Sequence, residues 1–279
     1  MNAILFIKRT GLFCGLLLFA GQMLRAEPAT SPPSDLQAEV LPILQANYID
    51  AQKLSAKEGE HLGAIIAHSN GEISLCSPEA DSTPVPILTA FLPGNIIYWR
   101  LASFTPENGW SGLTTQLDQW TKQGAEGIIL DLRSNIALDD YTGAAQIAGF
   151  FAPDGTVLFT GRDASGSDHA YAAKHTGLPF HQPVILITNN QTTGAAEALA
   201  ACLKIQGALV IGQTTKGSAA IFEEQKLSSG QLLRFIHAQV FLSDGTELWG
   251  HPVSPDIGLT VNEQNEKKCS GFDREAWSA

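Results

Sequence analysis

Apolar positions along this chain follow two different spacings, and the spacing switches repeatedly. Between residues 35 and 54, Leu36, Val40, Leu41, Leu44 and Tyr48 recur at helical intervals, with Ser34 or Asp35 as the cap and Pro42 marking a kink or a late start. Residues 64–67 and 73–76 are apolar and flank Asn70-Gly71, which predicts a β-hairpin. Residues 77–86 hold three prolines among small polar residues and read as loop or linker.

From residue 96 onward, short continuous apolar runs alternate with amphipathic stretches. The runs at 96–101, 127–132, 157–160, 184–188 and 209–211 are predicted strands, and 112–123, 142–151 and 195–206 are predicted helices. Sequence rich in β-formers then continues to about Trp249. Strand, helix, strand in repeated order, with strands apolar on both faces, predicts an α/β domain around a largely parallel sheet.

Composition narrows the class. With 44% hydrophobic and 16% charged residues, 14 Pro and 26 Gly in 279 residues, the chain is neither disordered, collagen-like nor a long coiled coil. Lys8 and Arg9 precede an apolar run at 11–21, and Ala26 stands before Glu27 and a proline-rich polar stretch. That order predicts a signal peptide over residues 1–26, hence export to the periplasm or cell envelope; the alternative is an uncleaved anchor, since 4–7 extends the apolar region. About 250 residues then remain, enough for one large or two small domains.

Of 17 basic residues, Lys8, Arg9 and Arg25 fall in the leader, so 14 remain against 28 acids, a net charge of −14. Such a surface repels phosphate backbones and argues against nucleic-acid binding. Beyond the leader no run of 18 apolar residues occurs, so no membrane span is expected in the mature chain. Cys76, Cys202 and Cys269 match neither a metal site nor a disulfide framework; Cys202 is expected to be a buried thiol, and pairing of Cys76 with Cys269 stays open. His169, His175 and His181 stand six residues apart, which is no metal-ligand spacing, and His237 and His251 are expected to pack within β-structure. No metal or cofactor is expected.

Several stretches, in order, resemble the catalytic core of the C-terminal-processing (tail-specific) serine peptidases. They are Ile97-Tyr98-Trp99-Arg100-Leu101, then Gly127-Ile128-Ile129-Leu130-Asp131-Leu132-Arg133, Pro153-Asp154-Gly155-Thr156, Ala195-Ala196-Glu197-Ala198, Asp244-Gly245-Thr246 and Ser254-Pro255-Asp256. The resemblance covers some 160 residues. It implies a crotonase/ClpP-like spiral α/β core, here preceded by a helical N-terminal segment, and cleavage near protein C-termini. The expected organisation is a signal peptide (1–26), an N-terminal helix, hairpin and linker (27–95), the peptidase-like core (96–262) and a C-terminal tail (263–279). Between residues 76 and 96 there is no room for the PDZ domain that family members usually carry.

The family's chemistry implies a Ser–Lys dyad: a serine at a strand-to-helix turn attacks the peptide carbonyl, and a desolvated lysine takes its proton. This sequence departs from that pattern three times. The family's Ser-Ala-Ser/Ala-Glu reads Gly194-Ala195-Ala196-Glu197, so the nucleophile position carries no hydroxyl. The lysine of Gly-Glu-x-Thr-x-Gly-Lys-Gly is Ser218, with Lys216 two residues earlier, where a strand would return it to the same face. The glycine pair after the earlier strand has become Ala137-Leu138.

Two functions of different class follow. One is a non-catalytic peptidase-fold protein that binds a peptide or protein tail, with the helix-start amides of Gly194 and Ala195 holding a carboxylate. The other is an active serine/threonine endopeptidase with a rearranged dyad, in which Thr193 or Ser218 works with Lys216. Thr192 and Thr193 are otherwise expected to satisfy backbone groups at the helix start. Glu197 is expected at the third helical position, Asp131 and Arg133 in structural hydrogen bonds or an ion pair, and Asp139-Asp140 as solvated loop acids.

Overall fold

The computed structural model describes residues 34–55, 61–77, 86–106, 108–135, 138–174 and 179–260. The predicted leader, most of the linker, Ile136, Ala137, His175, Cys269 and the tail from 263 lie outside the described residues. Helix α1 (Ser34–Asn47) buries Leu36, Val40 and Leu44 on one stripe. The helix continues through Pro42 rather than starting after it, and both Pro42 and Ala38, whose carbonyl loses its intrahelical donor, face water. The predicted helix breaks at residues 48–50, where Ile49 N–H donates to the Ile236 carbonyl at 3.0 Å, and α2 (Ala51–Ser55) follows as a separate turn.

Residues 64–67 correct the hairpin expectation. They belong to α3 (Leu62–Ala67), with Leu62 and Ile65 buried one turn apart. Asn70 (φ 51°) and Gly71 (φ 87°) do form a left-handed pair, but it joins α3 to β1 (Ile73–Cys76) rather than two strands. A four-residue apolar run fits either structure, and only its packing partners decide.

The remainder alternates as the sequence predicts, with four strands it did not reveal, two of them only two residues long. In order come β2 (Pro86–Leu92), β3 (Ile96–Arg100), β4 (Thr105–Pro106), α4 (Gly109–Lys122), β5 (Gly127–Asp131) and α5 (Tyr141–Gly149). Next are β6 (Val157–Asp163), β7 (Asp168–Ala172), β8 (Val184–Thr188), α6 (Ala195–Ile205) and β9 (Leu209–Gly212). The chain closes with β10 (Ala220–Lys226), β11 (Leu232–Leu242) and β12 (Ile257–Gly258). Strand β2 was hidden because Pro86 looked like loop. Strand β7 was hidden because its short, mostly exposed run carries no apolar alternation; it pairs antiparallel with β6, and its Tyr171 packs against Tyr141 and Phe159.

Two sheets result. The first has the order β12-β9-β8-β5-β3-β2-β4, parallel from β12 through β3, with β2 antiparallel to β3. The second is antiparallel around β11, which pairs with β10 along one edge and with β1 and then β6 along the other. Helix α6 touches α5 and strands of both sheets, and every residue from Ala195 to Leu203 is buried. Its small side chains permit that close approach on all faces. Helices α1–α3 cover β1, β10 and β11, burying Val40, Leu44 and Leu62 against Leu233 and Phe235. Each such buried side chain contributes about 1.5–3 kcal/mol. Among the described residues no helix is long and apolar enough to cross a membrane.

Candidate functional site

The parallel sheet ends its strands β5 and β8 side by side, and polar residues concentrate there. At the end of β5, Asp131 is fully buried and accepts from Tyr98 Oη at 2.8 Å, Arg100 Nη1 at 2.7 Å, Arg133 Nε at 2.9 Å and Arg133 Nη2 at 2.7 Å. Burial pushes the carboxyl's pKa up, but the hydrogen bonds and charges of Arg133 and Arg100 outweigh it and hold it below the ordinary value. The expected role of Asp131 and Arg133 as a structural ion pair is what the geometry has.

After β8 the chain turns sharply into α6. Thr192 is buried; its hydroxyl donates to the Leu132 carbonyl and accepts from Asn189 N–H, both at 3.1 Å. That knits the turn to the end of β5. Gly194 then adopts φ 59°, ψ −129°, a conformation open essentially to glycine alone unless the surroundings enforce it. A strained strand-to-helix turn of this kind is what presents a nucleophile in hydrolases, yet here it presents no side chain.

The amides at this turn are already occupied. Gly194 N–H donates to Glu197 Oε2 at 3.2 Å, and Ala195 N–H donates to the Leu138 carbonyl at 2.8 Å. A carboxylate reaches Ala195 N–H only in place of Leu138. A Cβ built on Gly194 would lie 2.1 Å from the Leu138 oxygen, so the room a serine needs is filled by backbone.

Glu197 is the hub beneath. It is 2% exposed and accepts from Gly194 N–H, from Thr215 Oγ1 at 2.5 Å, from Gly217 N–H and from Ser218 N–H at 2.8 Å. The carboxylate therefore ties the start of α6 to the loop between β9 and β10. Every oxygen lone pair it spends this way is unavailable for proton transfer.

Thr193 and Ser218 meet through their hydroxyl oxygens, which hydrogen-bond to each other. Ser218 is also 3.4 Å from Glu197 Oε2. Lys216 is exposed and lies in a loop rather than a strand, so the two-residue strand argument for its direction does not apply. Its backbone N–H donates to the Thr192 carbonyl at 3.0 Å, and among the described residues no acid pairs with its amine.

These residues face a cleft of about 310 Å³. Leu138, Thr193, Gly194, Lys216 and Ser218 line one side; Phe222, Arg234 and Trp249 from the antiparallel sheet and its following loop line the other. Phe222 and Trp249 meet edge to face, and the Arg234 guanidinium stands 3.8 Å from the Phe222 ring centre. Arg234 is paired with Asp139 at 2.9 Å and Glu224 at 3.5 Å. Asp139 is thus an ion-pair partner, and Asp140 caps α5 by accepting from Gly143 N–H at 2.7 Å; neither is the simply solvated acid the sequence suggested.

The structure thus brings Thr193, Gly194, Lys216 and Ser218 to one cleft, while Ala195 points its amide at Leu138. Sequence reasoning missed Arg234, Phe222 and Trp249, which no local motif connects to residue 194. Leu138 was visible only as the place of absent glycines. His251 is exposed rather than packed, and His237 sits half-exposed 3.3 Å from Glu223. Burial pushes the Cys202 thiol up to about 12, and Cys76 is half-buried and free. Among the described residues no three His, Cys, Asp or Glu side chains converge as metal ligands would.

Comparison with known proteins agrees with the geometry. Residues 95–259 match the model of peptidase family S41. A carboxyl-terminal-processing protease of Synechocystis is 31% identical over 140 residues, covering 50% of this chain and 32% of that protein. A chloroplastic C-terminal processing peptidase of Tetradesmus obliquus is 27% identical over 163 residues, covering 58% and 34%. The chain spans about a third of the length of these curated relatives. The solved photosystem II D1 C-terminal processing protease superposes with a TM-score of 0.51 at 26% identity, over 67% of this chain and 47% of that one. A lipoprotein from Streptococcus agalactiae, 18% identical, shares the fold with a TM-score of 0.58 over 85% of this chain and 96% of its own. With its spiral α/β core and the strand-to-helix turn of a serine peptidase, the chain belongs to peptidase family S41.

Proposed function

We propose that this protein is an exported S41 member that does not cleave peptides and instead binds the C-terminal tail of a peptide or protein in its cleft. The leader over 1–26 would direct it to the periplasm or cell envelope, leaving the core at 96–262 as the working part. The observation that carries the reading is the pair of substitutions at the dyad: Gly194 offers no nucleophile, and Ser218 stands where a base is needed, its hydroxyl engaged by Thr193. The cleft remains open, with Lys216, which no acid pairs among the described residues, as a cation for a tail carboxylate and the Phe222–Trp249 wall for an apolar side chain.

A second reading, cleavage by Thr193 or Ser218 with Lys216, draws on the fact that all three line one cleft. One experiment separates them. Residues 27–279 are incubated with an unstructured protein carrying an apolar C-terminal tail, and the products are read by mass spectrometry beside Thr193→Ala, Ser218→Ala and Lys216→Ala variants. No cleavage, with the tail retained on immobilised protein and held more weakly by Lys216→Ala, is the expected result. Cleavage abolished by any of the three substitutions would overturn the binding reading.

A further inference from the structure

The backbone around residue 194 keeps the geometry of a nucleophile turn while the space above it is filled from within the chain. Three observations meet there. Ala195 N–H, the amide that follows the nucleophile position and would donate to an oxyanion, donates to the Leu138 carbonyl at 2.8 Å. A Cβ on Gly194 would stand 2.1 Å from that oxygen, 2.9 Å from its carbonyl carbon and 3.0 Å from the Leu138 Cα. Contacts that short are to backbone, which cannot swing aside as a flexible side chain can. The φ of 59° at Gly194 is one that glycine adopts readily, and its N–H is held by the Glu197 carboxylate at 3.2 Å.

The geometry points to Leu138 as a built-in occupant of the catalytic position: its peptide carbonyl sits on the Ala195 amide as a substrate carbonyl would, and residue 194 is glycine because any side chain there collides with it. Loss of the serine and closure of the oxyanion site are then one structural event. Restoring a hydroxyl by Gly194→Ser does not rebuild a dyad, even with Ser218→Lys, because the new Cβ and the Leu138 carbonyl cannot share the site. This inference does not depend on whether a tail binds in the neighbouring cleft.

The direct test is the nitrogen–carbonyl coupling across the hydrogen bond between Ala195 and Leu138, measured by NMR on the full chain, with amide exchange recorded beside it. A detectable coupling and slow exchange of Ala195 N–H are expected in the unmodified protein. In Gly194→Ala the coupling should vanish and Ala195 should exchange about tenfold faster or more, while Leu130 and Val210 in the central strands keep their protection. Absence of the coupling in the unmodified protein, with rapid exchange at Ala195, would overturn the proposal whether or not the variant folds. A coupling that survives unchanged in Gly194→Ala would overturn the steric reason for the glycine. Tail retention is unaffected by either result, so its failure would count against the binding reading alone.

Discussion

Two neighbouring strand ends have met the same demand in opposite ways. At the end of β5, Asp131 keeps a fully buried charge and surrounds it with Tyr98, Arg100 and Arg133. At the end of β8 the position of a reactive side chain is bare, and backbone from Leu138 and the Glu197 carboxylate take up the amides left there. Both regions are polar and buried, and both are saturated with hydrogen bonds. The first is saturated by side chains that only have to stay put. On the reading proposed above, the second is saturated by groups that stand where an attacking side chain and an oxyanion would otherwise sit. A polar, fully satisfied strand end in a peptidase fold is therefore a mark of structure, and catalysis requires that some of it be left unsatisfied for the substrate.

The comparison breaks most sharply at Asp131. Asp131→Ala leaves Arg100 buried and uncompensated and should cost about 3–5 kcal/mol of stability, measured by urea unfolding. Because the Asp131 pKa is lower in the fold than in the unfolded chain, its stabilising contribution is complete at neutral pH. It begins to fall near pH ~4 and is lost as pH drops through the folded value, so the acid limb of the unfolding curve should flatten in the variant.

Glu197→Ala should come next, at about 2–3 kcal/mol, since it strips acceptors from Gly217 and Ser218 N–H and from the Thr215 hydroxyl. A loss under ~1 kcal/mol in the same unfolding measurement would mean that water replaces the carboxylate easily and that the site is looser than β5. Gly194→Ala should cost about 1–3 kcal/mol, a fall in Tm of roughly 2–4 °C for each kcal/mol in a domain of this size. An unchanged Tm by calorimetry would show that the turn tolerates a side chain.

Smaller effects sharpen the cleft side. Lys216→Ala should leave stability unchanged within ~0.5 kcal/mol and weaken retention of a carboxylate-ended tail by about two- to fivefold, the range of one exposed ion pair, read by titration calorimetry. Smallest of all, native protein at neutral pH should take up a thiol reagent at Cys76 and not at Cys202, whose thiol is buried and pushed up to about 12. Labelling followed by peptide mapping checks this.

Much of the fold was legible because its strands are buried on both faces. Runs such as Ile128-Ile129-Leu130 and Val184-Ile185-Leu186 announce parallel strands without any partner in view. The segments that misled were those whose identity depends on a distant neighbour. Ala64–Ala67 became a helix because Leu62 and Ile65 meet the β11 side of the molecule, and β7 is a strand only because β6 lies beside it. In the site, Gly194, Ser218 and Lys216 could be placed by position against a resembling motif. Arg234, Phe222 and Trp249 could not, since they reach the cleft from another sheet.

Sequence alone determined that residue 194 has no hydroxyl and residue 218 no amine, because side-chain chemistry is written in the residue type. Only the tertiary structure decided that the vacancy is filled. The occupant is a carbonyl of Leu138, 56 residues earlier, and every residue has a carbonyl. What makes this one special is its place, set by the pairing of β5 with β8 and the turn into α6, and no local pattern encodes a place.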